Sequence, residues 1–414
     1  MQALRRTSTK LSSDKLLRAP GTNRRLTHRP PLPSAAASPM LSRMTPQQFD
    51  VIIIGAGMAG STAAAHLAPH KRVALVEAEE APGYHTTGRS AAMWMLNYGP
   101  PDARVLVGLS RDFLVSPPAG FAEHPLVTQR TVIYLAPEEQ RAKYEEMLAE
   151  GVGVDPLPID QACKMVPALR PDYAVAAAIE ADGFDLDVAA IQQGFLRQLR
   201  AAGGTLALRS RAGEITRRAG GWDVHTATGA VFHAPIVVNA AGAWGDEVAA
   251  IAGTRKLGLT PCRRTAAIID PTPYDAQRWP MINDCAHTWY ARPEARTRIM
   301  VSPADETPMD PQDIQPDELD VAIGIDRMQQ ALDIEVRRVE RSWAGLRTFT
   351  RDRSLAIGWD ATAEGFFWCV GQGGSGIQTS PAAGQFVADL VLSRDPGAAG
   401  EIVALVDPRR FAGR

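Results

Sequence analysis

The feature that most constrains the fold is a glycine-rich turn between an apolar strand and an alanine-rich helix, in FDVIIIGAGMAGSTAAAHLA. The uninterrupted apolar run Val51 to Ile54 predicts a strand that is buried on both faces. Gly55, Gly57 and Gly60 follow with the spacing GxGxxG, which serves a tight turn, the close approach of a pyrophosphate and the packing of helix on strand. The N-terminus of that helix offers free N–H groups to phosphate oxygens.

A second strand, RVALVE, ends in an acid where a dinucleotide-binding unit needs one. Glu77 lies 20 residues beyond Gly57 and can accept hydrogen bonds from both hydroxyls of an adenosine ribose. Its charge would repel a 2′-phosphate, so FAD or NAD is favoured over NADP. A glycine-rich turn without a ligand is the alternative, and strand, spacing and acid together argue against it.

Length and composition indicate a soluble globular protein of two domains. The chain has 414 residues, of which 45% are hydrophobic and 22% charged, and a single core rarely grows to this size. No apolar run reaches the roughly 20 residues that a membrane span requires. The four cysteines lie far apart without companions at ligand spacing, which argues against a structural metal and fits reduced thiols in the cytoplasm.

The charge is distributed unevenly along the chain. Residues 1 to 48 hold nine Lys/Arg and one acid, Asp14, whereas the remainder holds 35 basic and 45 acidic residues. An acidic body is poorly suited to binding nucleic acid. We expect residues 1–47 to be a disordered basic leader. It could be an organelle transit peptide, or translation could start at Met40 or Met44 instead.

Three further segments separate FAD from NAD as the cofactor. GYHTTGRSAAMW follows the second strand directly, where an NAD dehydrogenase usually continues with regular strand and helix alternation. A later strand, IVVNAAGAW, ends in small residues that allow a close backbone approach. Near the C-terminus FFWCVGQGGSGIQTSPAAGQFVADLVL predicts a strand, a glycine loop and a helix N-terminus that can receive another polar group of a long cofactor.

With these segments the chain resembles the FAD-dependent D-amino-acid oxidase (DAO) superfamily, and most of all its D-arginine dehydrogenase type. The segments that carry the resemblance are VIIIGAGMAGS, PGYHTTGRSAAM with NYG, PPAGFAEHPL, VVNAAGAW, WAGLRTF and GFFWCVGQGGSGIQTS. They extend from about residue 48 to about residue 393, nearly the whole of the expected folded body.

The resemblance implies an α/β fold with a Rossmann-like FAD-binding domain of the glutathione-reductase-like, DAO type. A discontinuous α+β substrate domain, built on an antiparallel sheet, would cover the flavin. The implied FAD domain comprises 48–127, 183–255 and 341–400, the substrate domain 128–182 and 256–340, and the C-terminal tail 401–414. Local patterns predict strands at 130–136 and 266–271 and a helix at 188–200.

The implied cofactor is non-covalent FAD, because none of the four cysteines falls in WAGLRTF, where related sarcosine oxidases attach flavin. GYHTTGRSAAMW should wrap the cofactor, with Thr86, Thr87 and Ser90 offering hydroxyls and Arg89 offering a cation to the pyrophosphate or flavin. The residues that we assign to the cofactor are Gly55, Gly57, Met58, Ala59, Gly60, Glu77, Thr86, Thr87, Arg89, Ser90, Ala91, Ala92, Ala241, Gly242, Arg347, Gly373, Gly374, Ser375, Gly376, Ile377 and Gln378.

The resemblance also implies the catalytic residues. Arg347 would clamp the substrate carboxylate, for which a guanidinium offers two parallel hydrogen bonds, and Tyr98 and Tyr290 would cover the site. Arg263 matches a further substrate arginine, with Arg264 as the alternative one position away. Gly374 would place a carbonyl near the substrate amine.

Four positions are assigned to the substrate pocket: Met93, Val132, Met281 and Asn283. D-Arginine dehydrogenases carry an acid where this chain has Val132, and that acid holds the distal cation of the substrate. A valine cannot do so, and a buried unpaired guanidinium is costly. We therefore expect a substrate with a neutral or apolar side chain that Asn283 could hydrogen-bond.

The predicted reaction is oxidation of a D-amino acid to the imino acid, by hydride transfer from Cα to flavin N5. The alternatives are a 2-hydroxy-acid dehydrogenase of the same superfamily and a flavoprotein that binds FAD without turnover. Solvent or His85 would take the amine proton. The sequence leaves open whether O2 or a quinone is the electron acceptor, and it also leaves open the oligomeric state.

Overall fold

The computed structural model describes residues 45–412. Of the predicted basic leader, residues 1–44 lie outside the described residues, and Gln47 and Gln48 form the first strand. Within 45–412 no helix is both long and apolar enough to cross a membrane.

The described part of the chain contains many short strands and a smaller number of helices. The strands are β1 (Gln47–Gln48), β2 (Val51–Ile54), β3 (Val73–Val76), β4 (Met93–Trp94), β5 (Val127–Gln129), β6 (Val132–Ala136), β7 (Val154–Pro156), β8 (Ala176–Glu180), β9 (Phe184–Leu186), β10 (Thr205–Ala207), β11 (Ala212–Arg218), β12 (Gly221–Thr226), β13 (Val231–Ala234), β14 (Ile236–Asn239), β15 (Thr260–Ile269), β16 (Met281–Asp284), β17 (Tyr290–Glu294), β18 (Arg298–Ser302), β19 (Thr307–Pro308), β20 (Val339–Phe349), β21 (Ala356–Trp359) and β22 (Phe366–Val370). The α-helices are α1 (Met58–Leu67), α2 (Pro101–Val115), α3 (Arg141–Glu150), α4 (Ile159–Met165), α5 (Val188–Ala201), α6 (Gly245–Ile251), α7 (Glu318–Ala331), α8 (Ser380–Val391) and α9 (Val403–Val406).

A six-stranded sheet in the order β10-β3-β2-β14-β22-β21 forms the centre of the cofactor-binding part. All its pairs are parallel except β21 with β22 at one edge. From β2 the chain continues to β3, which pairs with one edge of β2, whereas β14 pairs with the other edge. Such a switch point at the carboxyl ends of parallel strands is where α/β sheets bind ligands.

Both faces of this sheet are covered, which explains the uninterrupted apolar run in β2. Val51 and Ile53 pack in a core with residues of α1, α2, α5 and α8. Ile52 and Ile54 face the other side and pack against β12, β13 and α6. Successive strand residues point to opposite faces, so a strand covered on both sides needs apolar residues at every position.

A nine-stranded sheet forms the second layer, with the path β19-β15-β18-β17-β16-β6-β8-β7 and β20 added beside β15. Its pairs are antiparallel apart from β6 with β16. Residues of α4 and α7 pack on its outer face in a core with Ile133 and Leu135. The opposite face carries Tyr134 and Tyr290 and is turned to the site described below.

The predicted α/β class is confirmed. The strands of the parallel sheet come from the three segments predicted for the FAD domain, whereas β20, inside the third segment, pairs with β15 of the other sheet. Residues 401–412, predicted as a tail, include α9, and the side chains of Ile402, Val406 and Phe411 are buried. The division of residues 48–400 into two domains stays a prediction.

Candidate active site

An elongated cavity of about 320 Å³ runs along the carboxyl ends of β2, β3, β14 and β22. Most of the residues predicted to bind the cofactor line it. They are Gly55, Gly57, Met58, Ala59, Glu77, Thr86, Thr87, Arg89, Ser90, Ala91, Ala241, Gly242, Arg347, Gly373, Gly374, Gly376 and Ile377.

The glycines of GxGxxG have separate structural reasons. Gly55 has φ +102°, and a Cβ there would lie 2.6 Å from the carbonyl oxygen of Ala240. A Cβ on Gly60 would lie 1.8 Å from the carbonyl oxygen of Gly55, so glycine is required for α1 to pack on the turn. At Gly57 a Cβ would meet only Thr87 Oγ1, at 3.4 Å, and would occupy space next to the N-terminus of α1.

Glu77 is buried and its carboxylate is held by two backbone donors. Oε2 accepts from the N–H of Ala56 at 2.7 Å, and Oε1 accepts from the N–H of Glu79 at 2.9 Å. Each oxygen retains a further lone pair, because a carboxylate has about four acceptor sites. The carboxylate therefore joins the glycine turn to the end of β3 and still faces the cavity.

The polar side chains of residues 83–92 bond mainly to the protein. Thr86 Oγ1 donates to the carbonyl of Leu346 at 2.6 Å, and Thr87 Oγ1 accepts from the N–H of Met58 at 3.0 Å. Ser90 Oγ accepts from the N–H of Ala92 at 3.1 Å. These hydroxyls line the cavity and also fix the segment to β20 and α1.

The prediction that Arg89 offers a free cation to the cofactor needs correction. Its Nη2 forms an ion pair with Asp313, and its Nη1 donates to the carbonyls of Ile314 and Ala344 at 3.0 and 3.3 Å. The Arg89 guanidinium in turn holds the pKa of Asp313 below its usual range. The charge is therefore neutralised within the protein, and Arg89 anchors the segment beside the cavity.

A second cavity of about 920 Å³ opens from the first towards the nine-stranded sheet. The two share their walls at one junction. The shared residues are Ser90, Ala91, Arg264, Tyr290, Arg347, Gln372, Gly373, Gly374 and Ile377. We refer to the first as the cofactor cavity and to the second as the substrate cavity.

Arg347, Tyr98 and Gly374 meet at this junction. Arg347 Nη1 donates to Tyr98 Oη at 2.7 Å. A Cβ on Gly374 would lie 2.5 Å from Tyr98 Oη and 2.9 Å from Arg347 Nη1. Tyr290, at the start of β17, lines both cavities. The structure thus brings together four of the five residues predicted to be catalytic.

The electrostatics of the junction keep Arg347 charged. Desolvation by itself lowers the pKa of Arg347, but the nearby phenol groups of Tyr98 and Tyr290 and the carboxylate of Glu306 raise the pKa overall. Desolvation likewise raises the pKa of Tyr98, yet the guanidinium groups of Arg347 and Arg264 bring this pKa below its ordinary value. An anionic group placed here meets a fixed positive charge.

The structure does not place the fifth residue predicted to be catalytic, Arg263, on the wall of either cavity, whereas its neighbour Arg264 lies there. Arg263 Nη2 bonds Asp320 of α7 at 2.6 Å, and its Nε lies 3.6 Å from Asp305. Arg264 lines both cavities, and its Nη2 bonds Glu306 at 3.0 Å. The two arginines are consecutive on β15, so they project to opposite faces of the sheet.

Val132 does not line the substrate cavity, whereas Met93, Met281 and Asn283 do. In the register of the sheet Val132 lies beside Met281, so it is on the face of the sheet that is turned to the substrate cavity. It is nevertheless fully buried, in a cluster with Met93 and Met95. Val132 therefore gives no reason to exclude a cationic substrate. Substrate specificity depends on the groups that line the cavity.

Of the other residues predicted to bind the cofactor, Gly60 lines neither cavity and packs on the Gly55 turn instead. Ala92, Ser375 and Gln378 line the substrate cavity rather than the cofactor cavity. Gln378 Oε1 accepts from the N–H of Met95, whereas its buried Nε2 has no hydrogen-bond partner in the described part of the chain. His85 lines the cofactor cavity and its Nε2 lies 3.2 Å from Glu79, so it is not placed to take a proton from a substrate.

Sequence reasoning missed several titratable residues of the substrate cavity: Arg104, His287, Glu306, Arg327 and Arg353. Glu306 and Arg353 lie in loops and Arg327 lies in α7, and no sequence motif indicated these positions. His287 had a weak signal, since it lies three residues before Tyr290. Its pKa is lowered, first by desolvation and then by Arg264 and Arg104, which keeps the imidazole neutral near pH 7.

The residues present fit FAD. Glu77 suits the ribose hydroxyls at one end of the cofactor cavity, and the first turn of α1 suits the pyrophosphate beside it. The space that a Cβ on Gly57 would fill is the space a pyrophosphate needs. At the other end, the loop containing Gly373 and Gly374 lets a flat ring approach the backbone next to Arg347.

Comparisons with known proteins agree with this arrangement. The family model described as "DAO: FAD dependent oxidoreductase" matches residues 50–390. The chain is similar to the FAD-dependent oxidoreductase domain-containing protein 1 of Bos taurus, with 24% identity over 87% of this chain and 85% of that protein.

Two solved structures share the fold. An L-proline dehydrogenase from P. horikoshii superposes with a TM-score of 0.76 and 21% identity, covering 89% of this chain and 98% of that one. A glycine oxidase from Geobacillus kaustophilus gives a TM-score of 0.76 and 22% identity, covering 89% and 100%. These matches do not support the D-arginine dehydrogenase subtype to which the sequence segments pointed.

Proposed function

Because the chain belongs to the DAO family of FAD-dependent oxidoreductases, we propose that it oxidises an amino acid at Cα, and that its natural substrate has the D configuration. The observation that carries the proposal is the meeting of Arg347, Tyr98 and Tyr290 where the two cavities join. A carboxylate at that point would be bound directly beside the place for the flavin ring.

Arg347 and Tyr98 supply complementary hydrogen bonds to that carboxylate. The guanidinium uses one N–H on the phenol and has others left for a bidentate contact. Since the phenol oxygen accepts from Arg347, its own proton is free to be donated to the second carboxylate oxygen. This binding would fix the direction of the Cα–H bond, which is the main contribution a protein makes to hydride transfer.

When bound, FAD supplies the oxidising group, which accepts a hydride at N5. The Cα–H bond breaks with its electron pair, the nitrogen lone pair forms the C=N bond, and an N–H proton leaves. The substrate amine therefore has to be neutral first. We propose that the carbonyl of Gly374 accepts from the amine, and that solvent or the neutral His287 takes the proton.

The D configuration is supported by the resemblance of PGYHTTGRSAAM and WAGLRTF to D-amino-acid dehydrogenases. The same clamp would bind a 2-hydroxy acid, because only the group at Cα differs between the two substrates.

The test is anaerobic mixing of the FAD-loaded protein with D-amino acids, L-amino acids, glycine and 2-hydroxy acids, followed by the visible absorbance of the flavin. We expect bleaching by D-amino acids and little by their enantiomers. Admission of air, or addition of a quinone, then identifies the electron acceptor by the return of the absorbance.

Matched variants make the outcome specific. Arg347→Ala should abolish bleaching, whereas Arg337→Gln, an exposed arginine paired with Glu335, should behave as wild type. Bleaching by L-amino acids or by 2-hydroxy acids alone would overturn the proposed substrate. Bleaching by no compound of the panel would overturn the proposed reaction.

A further inference from the structure

The substrate cavity is lined by an excess of positive charge. Five arginines line it: Arg104, Arg264, Arg327, Arg347 and Arg353. Three carboxylates line it: Asp305, Glu306 and Asp352. Partly buried charges without a partner of opposite sign are costly, so the partners of these groups decide whether the cavity has a net positive charge.

Each of the three carboxylates already has partners. Glu306 bonds Arg264 at 3.0 Å and Arg353 at 2.9 Å. Asp352 bonds Arg410, which does not line the cavity, at 2.8 Å.

Asp305 is engaged in the same way. It accepts from the N–H of Thr265 at 2.6 Å and from Thr265 Oγ1 at 3.0 Å, and lies 3.6 Å from Arg263. Within residues 45–412, Arg104, Arg327 and Arg347 have no carboxylate at salt-bridge distance.

Arg104 and Arg327 are nevertheless held in place. Arg104 Nε donates to the carbonyl of Gly99 at 2.9 Å. Arg327 Nη1 donates to the carbonyls of Thr288 and Pro303 at 2.6 and 2.9 Å. A carbonyl fixes a guanidinium without neutralising it, so both side chains retain their charge and unused N–H donors. Both are only partly exposed.

The positions of these two arginines relative to Arg347 suggest one ligand for all three. Arg104 is anchored next to Tyr98, which bonds Arg347. Arg327 is anchored next to His287, whose ring centre lies 6.3 Å from that of Tyr98. Neither lines the cofactor cavity, whereas Arg347 lines both cavities. A carboxylate on Arg347 thus leaves Arg104 and Arg327 for a group farther from the flavin.

We propose that Arg104 and Arg327 bind a second anionic group of the substrate, so that the preferred substrate is an amino acid with an acidic side chain. This rests on the proposed function, in which Arg347 binds the α-carboxylate. It replaces the expectation of a neutral or apolar side chain, which depended on Val132. Asn283 lines the same cavity, and among residues 45–412 its buried Nδ2 has no hydrogen-bond partner, so a small rotation of the side chain would let it donate to the same acidic group.

The first test compares substrates of equal shape and different charge. Anaerobic flavin reduction of the holoenzyme is measured with D-aspartate against D-asparagine and with D-glutamate against D-glutamine. We expect the acids to have a kcat/KM roughly 10- to 100-fold above the amides, as for a charge-assisted hydrogen bond. Equal rates for acid and amide would overturn the proposal.

Variants assign the effect to the two arginines. Arg104→Gln and Arg327→Gln should each lower the ratio of acid to amide kcat/KM by about three- to tenfold, and the double variant should remove the preference. Arg337→Gln, exposed and remote, should leave the ratio unchanged. If both arginine variants slow acid and amide by the same factor, the arginines do not bind the side chain and the proposal fails.

A binding measurement separates this proposal from the proposed function. Succinate and butyrate have four carbons each but two carboxylates and one, and neither has an amine to oxidise. Their dissociation constants are obtained from the change in the flavin spectrum. We expect succinate to bind at least about tenfold more tightly than butyrate, and the double variant to lose that preference. If succinate binds more tightly than butyrate only when both arginines are present, but no amino acid is oxidised, the anion site is supported and the proposed reaction is overturned. If succinate and butyrate bind equally well, the anion site is overturned.

Discussion

Arg347 and Tyr98, which lie 249 positions apart in the sequence, are joined by a hydrogen bond of 2.7 Å. Arg347 is on β20 of the nine-stranded sheet, and Tyr98 is in the loop before α2. Their contact brings the two layers of the molecule together at the end of the cofactor cavity. It also orients the phenol proton of Tyr98. Because Tyr98 Oη accepts from Arg347, its own proton has to be donated to another group.

Replacement of Arg347 should weaken substrate binding more than replacement of Tyr98. Arg347→Lys retains the charge but loses the bidentate geometry, so kcat/KM should fall roughly 10- to 100-fold. Tyr98→Phe removes one neutral donor and should cost about three- to tenfold. Stopped-flow flavin reduction measures both. A smaller effect for Arg347→Lys than for Tyr98→Phe would contradict the assignment of Arg347 as the main carboxylate ligand.

Gly374→Ala should disturb the junction without unfolding the protein. The new Cβ would lie 2.5 Å from Tyr98 Oη and 2.9 Å from Arg347 Nη1, so these side chains have to move. A displacement of this size can reduce the rate of flavin reduction roughly 100-fold. Gly108→Ala in α2, where the nearest atom would be 3.6 Å away, is the control. Unchanged kinetics in Gly374→Ala would show that the junction is not the reaction site.

Arg263 and Arg264 should give opposite phenotypes. Arg264→Gln removes a charge from the cavity wall, so KM should rise. It also breaks the ion pair with Glu306, but Glu306 keeps Arg353 as a partner, so the free energy of unfolding should fall less than in Arg263→Gln. Arg263→Gln breaks ion pairs with Asp320 and Asp305 and should lower the free energy of unfolding by about 3 kcal/mol, with KM little affected. Chemical denaturation and flavin reduction kinetics on both proteins distinguish the two outcomes. The reverse pattern would mean that Arg263 is the substrate arginine after all.

Glu77→Gln should weaken retention of FAD. The neutral amide is a poorer acceptor for ribose hydroxyls and for the N–H groups of Ala56 and Glu79. We expect the dissociation constant of FAD to rise about tenfold. The ratio of flavin to protein after gel filtration gives the first readout, and titration of the apoprotein gives the constant. Glu80→Gln, in an exposed pair with Arg209, should retain FAD like the wild type.

Glu180 predicts a pH dependence of stability. It is buried, and desolvation raises its pKa despite hydrogen bonds from Tyr134 Oη at 2.8 Å and from the N–H of Leu96 at 2.8 Å. The folded state therefore holds this proton more tightly than the unfolded state, whose glutamate has a pKa of about 4.3. The contribution is fully present below that pH and is lost as the pH rises through the folded pKa.

Glu180→Gln should remove that part of the pH dependence. The amide can still accept from Leu96 and can donate to Tyr134, so the free energy of unfolding should fall less between pH 4 and pH 7 than in the wild type. Urea denaturation at several pH values measures it. Glu364→Gln, at an exposed surface pair, is the control. A parallel pH profile for Glu180→Gln and wild type would show that folding does not raise the pKa of Glu180.

The sequence determined the cofactor-binding unit, because its requirements are local. Strand β2, the GxGxxG turn, α1 and Glu77 are close together along the chain, and each residue is needed for backbone geometry or for a single hydrogen bond. The glycine loop before α8 was identifiable for the same reason. Arg347, Tyr98 and Gly374 could be named from family motifs, but nothing in their spacing predicted that they would touch.

Only the tertiary structure decided which side chains face the substrate. Arg263 and Arg264 are adjacent in sequence, and the pleat of β15 sends one to α7 and the other to the cavity. Asp313 neutralises the charge of Arg89, whereas Arg104 and Arg327 bond only to carbonyls within residues 45–412 and keep their charge. Pairing of charges depends on which distant segments the fold brings together. The sequence alone therefore predicted the cofactor, and the packing of its two layers decided the charge of the cavity beside it.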